Sequence, residues 1–223
     1  MKICAISDMH GKLDFTIKPC DILCICGDIV PTYIQVYRRE TLDWLARDFV
    51  PWCDKQPCEK VFLIAGNHDW TAMRNPDDWE EMFKGTKITY LLDSLAEYKG
   101  LKIYGTPWCH KFFNWAFMAS DEDLKKIYSK MPEGVDILLT HDCSYGNNDI
   151  LLQEDFYTGD HIGCKPLGEA VDDKKPRYQF CGHLHSCNHD MEKRGDTEIR
   201  NVSLLNEHYD RVYEPCYVEI NKQ

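Results

Sequence analysis

Residues 181 to 189 read CGHLHSCNH, so Cys181, His183, His185, Cys187 and His189 crowd into nine positions. Imidazole and thiolate are the usual ligands of borderline and soft metal ions. Four more places carry metal-capable groups directly after an apolar run. Asp8-Met9-His10 follows KICAIS, Gly27-Asp28 follows DILCIC, Gly66-Asn67-His68-Asp69 follows KVFLIA, and His141-Asp142 follows VDILLT. Asp8, His10, Asp28, Asn67, His141, His183 and His185 make a set of oxygen and imidazole donors too large for one cation, since zinc takes about four ligands. A carboxylate can bridge two ions, and a pair roughly 3.5–4 Å apart is the arrangement of two-metal phosphatases and nucleases. Within Asp8-Met9-His10 and His183-Leu184-His185 the donors are two apart, so on extended chain they share a face. The glycines before Asp28, Asn67 and His183 let the backbone turn sharply at a crowded site.

Such donors need strands to carry them. KICAIS (2–7), DILCICGD (21–28), KVFLIAG (60–66), VDILLTHD (135–142) and RYQFCGH (177–183) read as short buried strands. VYRRETLDWLARDF (36–49) has the spacing of an amphipathic helix. NPDDWEEMF opens another, with Asn75 as cap and Pro76 in the first turn. KITYLL and EYKGLKIYG give two or three strands with a tight turn at Lys99-Gly100. SDEDLKKIYSKM (120–131) is a helix with an approximate capping box from Ser120 to Asp123, and PLGEAVDD is a short helix. Strand and helix alternate early and strands dominate late, which predicts parallel β-α units followed by an antiparallel part, in one α/β domain over 1–223. In open α/β sheets ligands bind beyond the carboxyl ends of the strands. The five donor groups are expected to converge there. Residues 142–168 form a long irregular stretch, of the kind that is functional or mobile.

Composition narrows the classes. A chain of 223 residues with 43% hydrophobic and 28% charged residues is an ordinary globular sequence. No run approaches the roughly 18 apolar residues of a membrane span, and MKICAISDMHG lacks the features of a secretory signal. The cytoplasm is the expected location. The 12 cysteines, none spaced C-x-x-C, are then expected to be thiols. A net charge of −11 argues against long nucleic acid as a partner and leaves a small phosphorylated substrate open.

The order of these groups from Asp8 to His185 resembles the calcineurin-like metallophosphoesterase superfamily. The resemblance implies a four-layer α-β-β-α sandwich of two mixed β-sheets flanked by helices. It also implies one divalent ion on Asp8, His10, Asp28 and His185, and a second on Asp28, Asn67, His141 and His183, with Asp28 bridging. The ions could be Mn, Fe, Zn, Co or Ni, with Mn the first expectation. His68 would then sit over the substrate, Asp69 would orient it, and Asn67 would also face the phosphate. YGTPWCHKFFNWAF (104–117) and PEGVDILLTHDCSYG (132–146) are similar to a smaller branch that includes phosphodiesterases active on cyclic nucleotides, although Asp142-Cys143 stands where that branch more often has Gly-Pro.

The chemistry expected is phosphoester hydrolysis. Two cations generate hydroxide near neutral pH, hold phosphate oxygens and offset developing charge, while His68 serves the leaving oxygen. Trp108, His110, Phe112, Phe113 and Trp115 form an aromatic group on which a flat base could stack, with Trp108 and His110 as the named substrate contacts. Three other readings stand beside this one. The fold could serve as an interaction module without turnover; the enzyme could be a phosphomonoesterase or protein phosphatase; or Cys181, His183, His185, Cys187 and His189 could form a self-contained zinc site. The last leaves Asp8, His10, Asp28 and Asn67 without a role.

Overall fold

The computed structural model describes residues 1–150 and 159–220. Short apolar runs become strands and the segments between them become helices. The order is β1 (Lys2–Ile6), β2 (Ile22–Cys26), α1 (Arg38–Trp44), α2 (Val50–Lys55), β3 (Lys60–Ile64), α3 (Trp70–Arg74), α4 (Pro76–Glu81), β4 (Ile88–Tyr90), β5 (Ser94–Tyr98) and β6 (Leu101–Thr106). Then come β7 (Cys109–His110), β8 (Met118–Ala119), α5 (Asp121–Tyr128), β9 (Ile137–Thr140), α6 (Lys165–Lys174), β10 (Tyr178–Cys181), β11 (Glu192–Arg194), β12 (Thr197–Asn201) and β13 (Cys216–Glu219).

The strands build two main sheets, ordered β13-β1-β2-β3-β4 and β11-β12-β10-β9-β6-β5. In the first, β1 to β4 run parallel and β13 is antiparallel. In the second, β6, β9, β10 and β12 run parallel between antiparallel edges β5 and β11. The expected antiparallel part is confined late in the chain to β11 and β13, while β9, β10 and β12 run parallel. The helix-bearing connections before β9 and β10 bring the chain back in the same direction, as parallel pairing requires.

Period-2 alternation sorts the side chains into layers. Ile3, Ala5, Ile22, Cys24, Phe62 and Ile64 face the second sheet and pack against Ile103, Ile137, Leu139 and Phe180. Their neighbours Cys4, Ile6, Leu23, Ile25, Val61 and Leu63 face outward, under Trp44, Leu45, Phe49, Trp52 and Trp79. On the far side Tyr104, Leu138 and Ile199 pack against Leu124, Tyr128, Leu167 and Val171 of α5 and α6. The result is the four-layer α-β-β-α sandwich.

Local chemistry explains several boundaries. The helix expected over 36–49 continues to Lys55 through a π-helical turn at Leu45–Phe49. Pro51 lacks an N–H and its ring crowds the carbonyl four residues back, and a wider turn relieves both problems. Lys99 and Gly100 both take positive φ, 49° and 85°, and close the β5–β6 hairpin. Ser120 caps α5 by accepting from the Asp123 N–H at 3.3 Å, whereas Asn75 makes no side-chain cap to α4. Part of the irregular stretch 142–168 lies outside the described residues. Among the described residues no helix is long and apolar enough to cross a membrane.

Phe62 is fully enclosed between the sheets. Phe62→Ala is expected to cost about 3–5 kcal/mol of unfolding free energy, read as a lower denaturant midpoint at unchanged slope.

Candidate metal centre

Two runs of adjacent parallel strands deliver the donors. β1, β2 and β3 lie side by side, so the residues leaving their carboxyl ends, Asp8, Asp28 and Asn67, emerge together. β9 and β10 do the same for His141 and for His183 and His185. The two ends are joined by the Ser7–Ser203 bridge, and the His183 N–H donates to Asp8 Oδ2 at 3.0 Å. His10, Asp28, Asn67, His68, His183 and His185 line a cavity of about 560 Å³; His141 lies buried below them.

Asp28 is the centre. Its Oδ1 accepts the His68 backbone N–H at 2.7 Å. Its Oδ2 lies 3.3 Å from His141 Nε2, 3.7 Å from His10 Nε2 and 4.0 Å from His68 Nε2. Asp8 is equally enclosed: Oδ1 is 3.2 Å from His185 Nε2, and Oδ2 also accepts the Ser203 hydroxyl at 2.8 Å. Burial pushes both carboxyls up, but the imidazoles around them outweigh it and hold both well below the usual carboxylate range. Burial, helped by neighbouring imidazoles and only partly opposed by the carboxylates, drives His10 and His183 down to about 4, so both rings are neutral near pH 7. His141 and His185 are opposed by burial too, yet the neighbouring carboxylates carry them to about 10 and about 9.

The residues fit a pair of divalent cations on four observations. Both ring nitrogens of His10 are buried without a hydrogen-bond partner, an expensive arrangement for a polar ring that holds nothing. His141 Nδ1 donates to the Cys26 carbonyl at 2.7 Å and His185 Nδ1 to the Asn206 carbonyl at 3.0 Å. Each Nε2 is thereby turned toward oxygen acceptors, with His141 Nε2 2.9 Å from Asn67 Oδ1. A backbone acceptor behind the ring is the usual support of a ligating histidine. The donor atoms of Asp8, His10 and His185, and separately those of Asp8, Asp28 and His141, lie within 4.8 Å of one another. Finally, a Cβ on Gly182 would lie 2.2 Å from Asp8 Oδ2, and one on Gly66 would lie 2.2 Å from Asp28 Oδ1. Asp8, His10, Asp28 and His185 could hold one ion, and Asp28, Asn67, His141 and His183 the other.

Three expected residues stand elsewhere. Asp69 does not orient His68. Its carboxylate accepts the backbone N–H groups of Gly66 (2.8 Å), Val30 (3.1 Å) and Ile29 (3.4 Å), tying the β2 and β3 exits together. His68 Nδ1 instead pairs with Gln35 Oε1. Trp108 does not line the cavity: its indole N–H donates to Asp93 at 2.9 Å and its ring packs on Phe117. His110 is held off the cavity by Asp142, whose Oδ2 accepts both its backbone N–H (2.9 Å) and Nδ1–H (2.7 Å). The walls belong to Phe112, Phe113, Trp115 and Tyr209. Trp115 lies 4.5 Å from His68 between ring centroids, and Tyr209 lies 4.8 Å from His10. Tyr209 sits in a loop organised by Asn206, whose Oδ1 accepts the N–H groups of His208 and Asp210 at 3.0 and 2.9 Å.

The 181–189 cluster divides. His183 and His185 face the cavity, Cys181 and Cys187 pack with Cys143 and Leu184 in an apolar cluster, and His189 stacks on Tyr213 at 3.6 Å. It does not close into a site of its own.

The sequence model of the calcineurin-like phosphoesterase family matches residues 1–187. The human metallophosphoesterase domain-containing protein 1 is 26% identical over 239 residues, covering 96% of this chain and 69% of that protein. A UPF0046 protein of Caenorhabditis elegans is 35% identical over 133 residues, covering 59% of this chain and 32% of its own length. The crystal structure of a phosphopantetheinyl hydrolase from Mycobacterium tuberculosis superposes with a TM-score of 0.53 at 14% identity, over 93% of this chain and 90% of that one; the likeness is one of fold.

Gly182→Ala removes no donor but crowds the Asp8 carboxylate out of its position. It is expected to lose at least one of two bound manganese equivalents while the far-ultraviolet circular dichroism is kept; full occupancy would contradict the tight seating of Asp8.

Proposed function

This chain belongs to the calcineurin-like phosphoesterase family, and on that premise we propose that it is a two-cation phosphodiesterase acting on small diesters such as cyclic nucleotides. The observation that carries the reading is the convergence of seven donors, the buried Asp28 among them, with His68 at the cavity side of the cluster. Bound divalent cations would supply Lewis acidity, activating water and offsetting charge on the phosphate.

The chain's own groups do the rest. Asn67 Oδ1 and His141 Nε2 are fixed against each other at 2.9 Å. Their positions are set before any ligand arrives, which is where most electrostatic catalysis originates. His68 is fixed at both ends. Its backbone N–H is held by Asp28, and its Nδ1 by Gln35. With Nδ1–H engaged by Gln35, a proton given to a leaving oxygen departs from Nε2, the nitrogen on the cation side. Gln35 thus takes the role expected of Asp69.

Diesters are favoured over monoesters by charge. Among the described residues the cavity lining includes no lysine or arginine, and its acidic members are Asp28 and Glu207. A monoester is largely dianionic near neutral pH, its second pKa being about 6. A monoanionic diester needs less fixed positive charge. The aromatic walls suit a flat substituent: Phe113 is 70% exposed, Phe112 lies 5.4 Å from His183, and Trp115 covers His68. The net charge of −11 supports a small substrate rather than a polymeric nucleic acid. Twelve free cysteines suit a reducing compartment, so we place the protein in the cytoplasm.

A screen of mono- and diesters, cyclic nucleotides included, on manganese-loaded protein tests this reading; no turnover of any diester would overturn it. His68→Ala is expected to keep both ions and lose about 10²–10⁴-fold in kcat. Asp28→Asn is expected to lose metal first, measured as ions per chain. Trp115→Ala should cut kcat/KM for nucleotide diesters by roughly 5- to 150-fold, the size of a lost base stack, with a smaller loss on diesters that lack a base.

A further inference from the structure

β6, β9 and β10 are neighbours and run parallel, with Thr106 opposite Thr140 and Phe180 opposite Leu139. What leaves the carboxyl end of β6 must therefore emerge beside His141 and His183. The residue delivered there is Cys109, the start of β7. Its backbone N–H donates to the Phe117 carbonyl at 2.8 Å, and it pairs with Met118 of β8. That pairing fixes where its side chain lies. Donor atoms of Cys109, His141 and His183 all lie within 4.8 Å of one another.

Cys109 also differs from the other cysteines. Cys4, Cys20, Cys53 and Cys58 pack in the core under the first sheet, Cys24, Cys26 and Cys216 in the core between the sheets, Cys164 beneath α5 and α6, and Cys143, Cys181 and Cys187 in the small cluster beside the site. Cys109 is fully buried but belongs to no apolar cluster. Among the described residues the hydrogen bond its thiol makes is a long one, 3.7 Å to the Pro107 carbonyl. A buried thiol outside the apolar clusters, with its sulfur within 4.8 Å of donor atoms of His141 and His183, has the surroundings of a ligand.

We propose that Cys109 is a ligand of the cation held by Asp28, Asn67, His141 and His183, so that this position is a thiolate site for zinc or another thiophilic divalent ion. The inference rests on the two-cation reading above. The thiol releases its proton to solvent as the sulfur–metal bond forms. The other position, at Asp8, His10, Asp28 and His185, has only nitrogen and oxygen donors and carries no such preference. Thiolate selects zinc over manganese, whereas carboxylate and carbonyl oxygen suit manganese. The two positions then differ in the metal they retain, in place of one manganese pair.

Cobalt(II) titration of the full chain, stripped of metal under reducing conditions, tests the assignment. Two bound equivalents are expected, with a thiolate-to-cobalt charge-transfer band in the near ultraviolet. The band should persist in Cys181→Ser and vanish in Cys109→Ser, and Cys109→Ser should weaken one of the two zinc dissociation constants at least about tenfold. Should Cys109→Ser fail to fold, zinc-edge X-ray absorption on the unmodified protein carries the test, with a sulfur shell at about 2.3 Å expected. Two equivalents bound with no charge-transfer band, a band unchanged in Cys109→Ser, or a zinc spectrum with nitrogen and oxygen shells alone would each overturn the Cys109 assignment and leave the two-cation reading standing. No binding of cobalt or zinc would remove both.

Discussion

Two carboxylates withdrawn from water set the terms for this end of the molecule. An ionised carboxylate in a low-dielectric interior is tolerated only when paired and hydrogen-bonded. Asp8 and Asp28 are essentially unexposed. Asp8 is answered by His185, the His183 N–H and the Ser203 hydroxyl. Asp28 is answered by His141 and the His68 N–H. The chain thus brings imidazoles from both sheets to one point, and the sandwich is the scaffold that lets loops from two sheets reach the same few ångströms.

The backbone carries the cost of that convergence. Asp8, His10, Asp28 and His183 all take positive φ, at 54°, 42°, 51° and 70°. Left-handed geometry costs an L-residue of this kind roughly 1–2 kcal/mol, and it persists only where the surroundings over-determine it. Here they do. The parallel registers fix where each strand ends. Backbone bonds from Asp8 N–H to the Gly27 carbonyl (3.1 Å) and from His10 N–H to the Asp28 carbonyl (3.0 Å) lock the first exit onto the second. Asp69 completes the set by joining the second exit to the third.

Much of this was legible in the sequence, and the reason is physical. A donor at the end of a buried strand stands out because apolar alternation stops abruptly and a polar, metal-capable residue follows. Asp8, Asp28, Asn67, His141 and His183 all show that break, and the two sheets with outer helices are what the family resemblance implies. What stayed hidden depends on partners without a spacing signature. The resemblance makes Asp69 the support of His68, but its carboxylate accepts the backbone N–H groups of Gly66 close by and of Ile29 and Val30 beyond β2. Gln35, Ser203 and Asn206 act from loops far along the chain. Trp108 and Trp115 looked alike in an aromatic run, and only Asp93 beneath one of them tells them apart. Cys109 follows the exit of β6, a strand end that lies beside that of β9.

Asn206 holds two things at once. Its carbonyl fixes the His185 ring, and its side chain shapes the turn that presents Tyr209 at the mouth. The ring that faces Asp8 and the aromatic wall beside His10 therefore depend on one residue. The opposite flank, where Phe112 and Phe113 stand beside His183, has no connection to Asn206 among the described contacts.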